Sequence, residues 1–450
     1  MTRNDHIPGR VPWYRSEPAP PLALWLCTRL VFVAMALAAT MGPDFETHTL
    51  YPAWASGLAH GHFPSGDRKW QYPPVAGLVF LAPRALPFLG YATAFALLML
   101  LCDAAVTAML LVCSRGEGRS VHGLWLWVLG LPLLIQLPYV RFDVAVTALA
   151  VGSVLLLTRS AVGSGLLAAL GALVKAWPVL VLIGTPRGRA TRRSWASAAL
   201  GLPLIGGATA LLFSHAFGFL GEQGSRGIEV ESLPGSLLLL ARLLGYHATV
   251  RYAYGSYQVS GRCAQDLADA AVLLTAAGFG WLLWWRLRAR SWSAATPADA
   301  ALTAMLVFVA TSRVISPQYL IWLLGLGATC LVFRSTSQRP VALALLPLTA
   351  LTTLVYPALW EPLLHGRAVA VLALLLRDAG LLALTACSAL RLWRATGAER
   401  PPTACPAVRG TREPDRWPPR RSCRPGSEAG RGRPSEWRPF SARAHDRPRW

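Results

Sequence analysis

Between Pro21 and Leu390 the chain alternates long apolar runs with short polar connections. The runs are Pro21–Met41, Ala92–Cys113, Gly123–Leu137, Val144–Leu157, Ser194–Leu212, Leu267–Trp285, Ala300–Ala310, Tyr319–Phe333, Val341–Val355 and Ala368–Leu390. Several fall short of the ~20 residues that a straight crossing of a bilayer needs, so their ends must borrow flanking residues or tilt. A bilayer offers no water to unpaired backbone groups, which makes helices the required conformation. The pattern predicts an all-α polytopic membrane protein of about ten spans plus partial or re-entrant helices. The first run is too long for a signal-peptide core and has no small-residue cleavage site after it, so it reads as an uncleaved span.

Two segments interrupt the alternation. Ser164–Ile183 has Arg159 before it, an arginine cluster at Arg187, Arg189, Arg192 and Arg193 after it, and Lys175-Ala-Trp-Pro178 in its middle. Charge on both flanks places both ends on one side, and a break at Pro178 predicts a hairpin of two short arms. Val75–Leu89, broken by Pro83-Arg84 and Pro87, reads as a helix at the outer interface or a short partner of Ala92–Cys113. Arg3, Arg10 and Arg15 precede the first run, and Arg115, Arg119, Arg286, Arg288, Arg290, Arg334 and Arg339 fall between later ones. The bias of Lys and Arg toward the cytoplasmic side then places both termini in the cytoplasm of a multi-pass cell-membrane protein. Segments 42–74 and 218–265 face outward.

Composition sharpens this division. The chain of 450 residues is 54% hydrophobic and 14% charged, against about 25% charged in a soluble domain. Its net charge of +21 lies in the short connections and in a tail that carries 13 Arg and 5 acids after residue 399, which argues against a nucleic-acid binder. The organisation is a cytoplasmic segment 1–20, a membrane domain 21–394 and a basic tail 395–450. The tail is rich in Pro, Arg and Gly, with too little apolar surface to fold, and is expected to be disordered and cytoplasmic. The eight cysteines and nine histidines show no metal-ligand spacing. No phosphate-binding loop or dinucleotide fingerprint is present, so no cofactor is expected; divalent-metal use stays open.

Candidate chemistry lies in the two outward segments. Asp44 follows the first span, where a partly desolvated carboxylate can take a proton from a sugar hydroxyl; a loop or capping carboxylate is the plainer alternative. Tyr51, Trp54, Ala55 and Leu58 recur at helical spacing, predicting an amphipathic helix on the membrane surface. In Asp67-Arg-Lys-Trp70-Gln-Tyr72-Pro-Pro74, the aromatics read as interface anchors and the prolines as the start of the next helix. The second segment gathers Arg226, Glu229, Glu231 and Ser232, then Arg251 among Tyr246, Tyr252, Tyr254 and Tyr257 with the alternation of a short hairpin. Arg suits a phosphate and aromatics suit a sugar face, although a solvated loop with ordinary ion pairs has the same composition. Lys175, Arg313 and Arg377 must face protein or a watery cavity, or snorkel; Arg377-Asp378 reads as a simple ion pair.

The ordered set Tyr51-Pro-Ala-Trp54, Gly61-His-Phe-Pro64, Trp70-Gln-Tyr-Pro-Pro74, Arg141-Phe-Asp143, Val174-Lys-Ala-Trp-Pro178, Arg226-Gly-Ile-Glu-Val-Glu-Ser232 and Ser312-Arg-Val-Ile-Ser-Pro-Gln-Tyr-Leu320 resembles glycosyltransferase family 87, over roughly Pro21 to Arg394. The resemblance implies a GT-C-type helical bundle that moves a sugar, typically mannose, from a polyprenyl-phosphate donor to a lipid or cell-envelope glycan acceptor on the outer face. The family's essential aspartate maps best to Asp44. Many relatives place the acid nearer the tyrosine, where this chain has Thr47-His48, so Glu46 and Asp67 are understudies. Arg226, with Glu231, Arg251, Arg313 and Tyr72, would bind the donor. A transporter or flippase for a polyisoprenoid-linked substrate is the rival reading, and it predicts repeated halves with matching broken helices.

Overall fold

Helices form wherever the apolar runs predicted them. The computed structural model describes residues 18–37, 44–213, 215–224 and 226–397. The expectations for residues 1–17 and for the basic tail from 398 onward lie outside the described residues. The order begins with α1 (Ala19–Leu37), a wide helical turn over Glu46–Leu50, α2 (Tyr51–Ala59), α3 (Ala76–Leu81) and α4 (Tyr91–Cys113). It continues through α5 (His122–Gly130), α6 (Leu137–Val140), α7 (Asp143–Leu156), α8 (Ala161–Val174), a 3-10 arm over Trp177–Gly184, α9 (Arg189–Leu212) and α10 (Phe219–Gly224). β1 (Ile228–Glu229), α11 (Leu233–Leu243), β2 (Ala248–Ala253) and β3 (Ser256–Gly261) then precede α12 (Ala264–Arg288), α13 (Thr296–Thr311) and α14 (Tyr319–Leu331). The last elements are α15 (Arg339–Thr353), α16 (Trp360–Leu364) and α17 (Ala368–Gly397).

Five helices are long and apolar enough to cross a membrane: α4, α9, α12, α15 with its continuation to Ala358, and α17. The other expected spans form shorter apolar helices, so the expected ten are not reached by length. The reason is visible in burial. Every residue of α14 from Leu320 to Leu331 is buried by protein, and α13 is nearly as enclosed. In the crossing segments of α12 and α9, by contrast, only 17% and 22% of residues are buried. The short α13 and α14 pack at the centre, and the long α9 and α12 lie on the outside.

The predicted hairpin is present. Helix α8 runs antiparallel to α7, with Ser153 Oγ donating to the Ser164 carbonyl at one end and Lys175 Nζ reaching Asp143 at the other. The chain reverses at Lys175-Ala176, so that Pro178 packs beside Gly171. The returning arm ends near the start of α9, where Trp195 Nε1 donates to the Leu182 carbonyl. Both arms therefore begin and end at one face of the bundle. The basic connections gather at that same face: Arg334 Nε donates to the Arg119 carbonyl and Arg187 to the Arg286 carbonyl.

Two expectations need correction. The stripe Tyr51, Trp54, Ala55 and Leu58 is buried, but in protein rather than among lipid headgroups. Tyr51 packs on Phe80 and Phe95, while Trp54 stands edge-on to Trp70. Trp70 is itself only 2% exposed, so the motif after Asp67 is a core anchor. The prolines end the loop with a turn, Pro73 and Pro74 carbonyls accepting from Ala76 and Gly77, and the helix begins two residues later. An all-helical chain is also too simple. β1, β3 and β2 form a three-stranded antiparallel sheet, with Val250 opposite Val259 and Tyr252 opposite Tyr257. The β2–β3 turn has Tyr254 and Gly255 at φ 54° and 78°, the left-handed pair that suits strand twist. This sheet, α11, α16 and the start of α17 share a second, smaller core around Val230, Leu239 and Val371.

Candidate active site

The first acidic group is built by the loop after α1. Asp44 Oδ2 accepts from the Thr47 amide at 3.1 Å, which closes the turn leading into α2. Arg141, just past α6, reaches across to it. Its Nη1 lies 3.4 Å from both Asp44 oxygens, and its Nη2 lies 2.8 Å from Glu46 Oε1. The three side chains are 13%, 12% and 23% exposed for Arg141, Asp44 and Glu46, so the cluster is mostly shielded and open on one side. Burial raises the Glu46 carboxyl above its ordinary value, against the pull of Arg141.

Arg141-Phe142-Asp143 joins this cluster to a second one. Arg141 is extended, at φ −122° and ψ 144°, and α7 starts at Asp143. Asp143 sits in the first turn of α7, where a carboxylate complements the helix dipole. Its Oδ1 accepts from Lys175 Nζ and from Trp322 Nε1, each at 2.7 Å, while Oδ2 has no partner among the described residues. The hairpin between α8 and its 3-10 arm exists locally because Pro178 cannot continue a helix, and it presents Lys175 at its tip. There the ammonium lies 4.8–5.8 Å from the ring centres of Trp322, Phe142, Tyr319 and Tyr72, which makes an aromatic-walled ion pair.

The second long loop adds the third group. Arg226 pairs with Glu229, and its buried Nε has no partner among the described residues. Glu229 is fixed by its own amide, which donates to the Arg313 carbonyl at 3.0 Å, and by Ser316 Oγ at 3.5 Å. Gly227 donates to Gln258 Oε1 at 2.9 Å, tying the loop to β3. Burial raises the Glu229 carboxyl, and burial beside Arg226 lowers the Arg313 guanidinium. Tyr72 stands between the groups, edge-on to Phe142 at 4.9 Å. Burial lifts its phenol above the usual range, and the charges of Asp143, Arg141, Glu46 and Arg226 all act on it. Asp44, Glu46, Tyr72, Arg226 and Arg313 are thus brought to one end of the bundle.

Three expected residues are placed elsewhere. Asp67 is engaged in holding its loop, accepting from Trp54 Nε1 at 2.8 Å and the Lys69 amide at 2.9 Å. Arg251 is exposed on β2, opposite Gln258, with no ion pair among the described residues. Glu231 turns back toward α17, where Arg377 lies between it and Asp378. One buried guanidinium cannot balance two carboxylates, so a proton is retained, and burial pushes Glu231 up to about 8. The Arg377-Asp378 pair is therefore part of a triad. Among the described residues no three His, Cys, Asp or Glu side chains come together to hold a metal ion.

Residue-by-residue reading undervalued Arg141, Asp143 and Lys175. Their signal was the short Arg-Phe-Asp motif and a lone lysine beside Trp-Pro; only the fold joins them. No curated protein and no solved structure is significantly similar to the chain. The model of glycosyltransferase family 87 matches residues 70–317, more than half of the chain. That span holds Tyr72, Arg141, Asp143, Lys175, Arg226 and Arg313, while Asp44 and Glu46 precede it. With apolar helices long enough to cross a membrane and a charged, aromatic-walled site at one end of its bundle, the chain belongs to glycosyltransferase family 87 and is a membrane glycosyltransferase.

Proposed function

We propose that the protein transfers mannose from a polyprenyl-phosphate donor to a hydroxyl of a lipid or cell-envelope glycan acceptor. The acceptor oxygen attacks the anomeric carbon while Asp44 takes its proton. The bond between that carbon and the phosphate oxygen breaks, and the polyprenyl phosphate leaves with an added negative charge. Arg226, supported by Arg313, meets that charge. Glu229 holds the guanidinium through Nη2, and Nε on the same edge has no partner among the described residues. Arg141 holds Asp44 and Glu46 in place, and Tyr72, Phe142 and the Lys175–Asp143 pair shape the wall. These groups act by positioning.

The observation that carries this reading is the convergence around Tyr72 of carboxylates from one loop, the Arg226 guanidinium from another and Arg141 between them. A carboxylate near a guanidinium with an unused donor suits a reaction that removes a proton at one atom and creates phosphate charge at another. The test is direct. Membranes containing the full chain are incubated with polyprenyl-phosphate [14C]mannose, with other polyprenyl-phosphate sugars and with nucleotide-linked mannose. Labelled product from the first alone, lost in Asp44→Asn, is expected. Product from the nucleotide sugar alone, or an undiminished yield in D44N, overturns the proposal.

A further inference from the structure

At the opposite end of the bundle from the charged site lies a recess of about 640 Å³. Arg115, Arg119 and Arg334 line it, with Ser114 and Ser120 between them and Glu117 as its single acid among the described residues. A smaller recess of about 80 Å³ adjoins it, shares Arg115 and Arg119, and adds Arg159. Among the described residues the two recesses together set four guanidinium groups against one carboxylate, a strongly cationic hollow. Arg115, Arg119 and Arg159 make no ion pair among the described residues.

The hollow is built, not a chance meeting of loop ends. The 116–120 turn is pinned to the end of α14, with the Ser120 amide donating to the Val332 carbonyl and the Arg334 amide to the Gly118 carbonyl. The Arg119 guanidinium stacks 4.1 Å from the Phe333 ring centre, and Arg334 Nε donates to the Arg119 carbonyl at 2.7 Å. Gly118, at φ 71°, allows the turn to close back on itself.

An apolar track leads into it. Along α4 Leu97, Leu101, Ala105, Ala108 and Val112 are exposed on one helical face, with Leu101 60% and Val112 49% exposed. This stripe ends at Ser114 and Arg115. An acyl chain suits the stripe and a negative charge suits the hollow, a pairing that an anionic lipid offers. We infer that the hollow formed by Arg115, Arg119 and Arg334 binds the phosphate headgroup of an anionic phospholipid, whose acyl chain lies on the exposed stripe of α4. Basic pockets between membrane helices take anionic headgroups through such charge-assisted bonds. The inference stands apart from the sugar-transfer reading.

Native mass spectrometry of the full chain, purified in detergent and exposed to an equal mixture of phosphatidylglycerol and phosphatidylcholine, tests it. Preferential retention of phosphatidylglycerol is expected, and Arg115→Gln with Arg119→Gln should cut the preference roughly thirtyfold. If that double variant does not fold, R115Q alone, an exposed side chain, should cut it about fivefold. Arg192→Gln, which removes a charge outside both recesses, should leave it intact. Equal retention of the two lipids by the unaltered chain, or an equal loss in R192Q, overturns the site. So does full displacement of the lipid by about 10 mM inorganic phosphate, since a hollow that prefers the free anion makes no use of the stripe.

Discussion

Substituting the two carboxylates that share Arg141 separates a proton acceptor from a clamp. Asp44 contacts the guanidinium at 3.4 Å and Glu46 at 2.8 Å. With an effective dielectric of about 20, these distances correspond to roughly 5 and 6 kcal/mol of gross attraction, most of it offset by desolvation. Asp44→Asn keeps an oxygen for the Thr47 amide and leaves Glu46 on Arg141, so its stability cost should stay under about 1 kcal/mol. Glu46→Gln gives up the shorter contact and should cost about 1–2 kcal/mol. Activity should fall in the reverse order. D44N should lower single-turnover transfer about 10²–10⁴-fold, the usual contribution of a general base, and E46Q by less than about tenfold. The assay is mannose transfer by purified protein in detergent, paired with thermal unfolding of each variant. If E46Q abolishes transfer while D44N retains more than a tenth of the rate, the base has been assigned to the wrong carboxylate.

Lys175→Met leaves the Asp143 carboxylate, at 1% exposure, with Trp322 as its only partner among the described residues, and should destabilise by about 3–5 kcal/mol; adding Asp143→Asn should recover part of that, and equal melting of the single and double variants would refute the coupling. Glu231 ionises in the folded chain only near pH 8, against an ordinary 4.5 when unfolded. The unfolded chain therefore gives up this proton first, so the stability due to protonated Glu231 is full below pH 4.5 and is lost as pH rises to about 8. Glu231→Gln should flatten that slope in melting temperatures measured across this range, and an unchanged slope would count against a neutral Glu231. Gly235→Ala would put a methyl 2.2 Å from the Glu229 carbonyl oxygen, forcing the loop that holds Arg226 to move. A loss of roughly 2–4 kcal/mol in thermal unfolding is expected, with a raised KM for the donor.

Much of the fold was legible because apolar runs must be helical and because Pro178 must break one of them. The number of crossings was less so. A Leu- and Ala-rich helix has the same composition whether lipid or protein surrounds it, and α13 and α14 are wrapped by protein. The same ambiguity misled the reading of α2: its spacing identified Tyr51, Trp54 and Leu58 as the buried side, but what covers that side is set by Phe80 and Trp70. The β2–β3 hairpin announced itself through alternation around Tyr254-Gly255. In the site, Asp44 and Arg226 were suggested by loop position. The partnership of Asp143 with Trp322, 179 residues away, had no sequence signature. Arg251 looked equivalent to Arg226 in composition, yet a strand facing solvent holds it apart.

The folded-back element at Lys175 fixes more than a lysine. An excursion that returns to its own face leaves the parity of the chain unchanged, so it delivers a cation into the bundle without exchanging the sides of everything that follows. Were that excursion straightened into one continuous rod, every later segment would be inverted. Asp44 and Arg226 would then be parted by the thickness of the whole bundle, and the proposed proton removal could no longer occur beside the proposed phosphate departure.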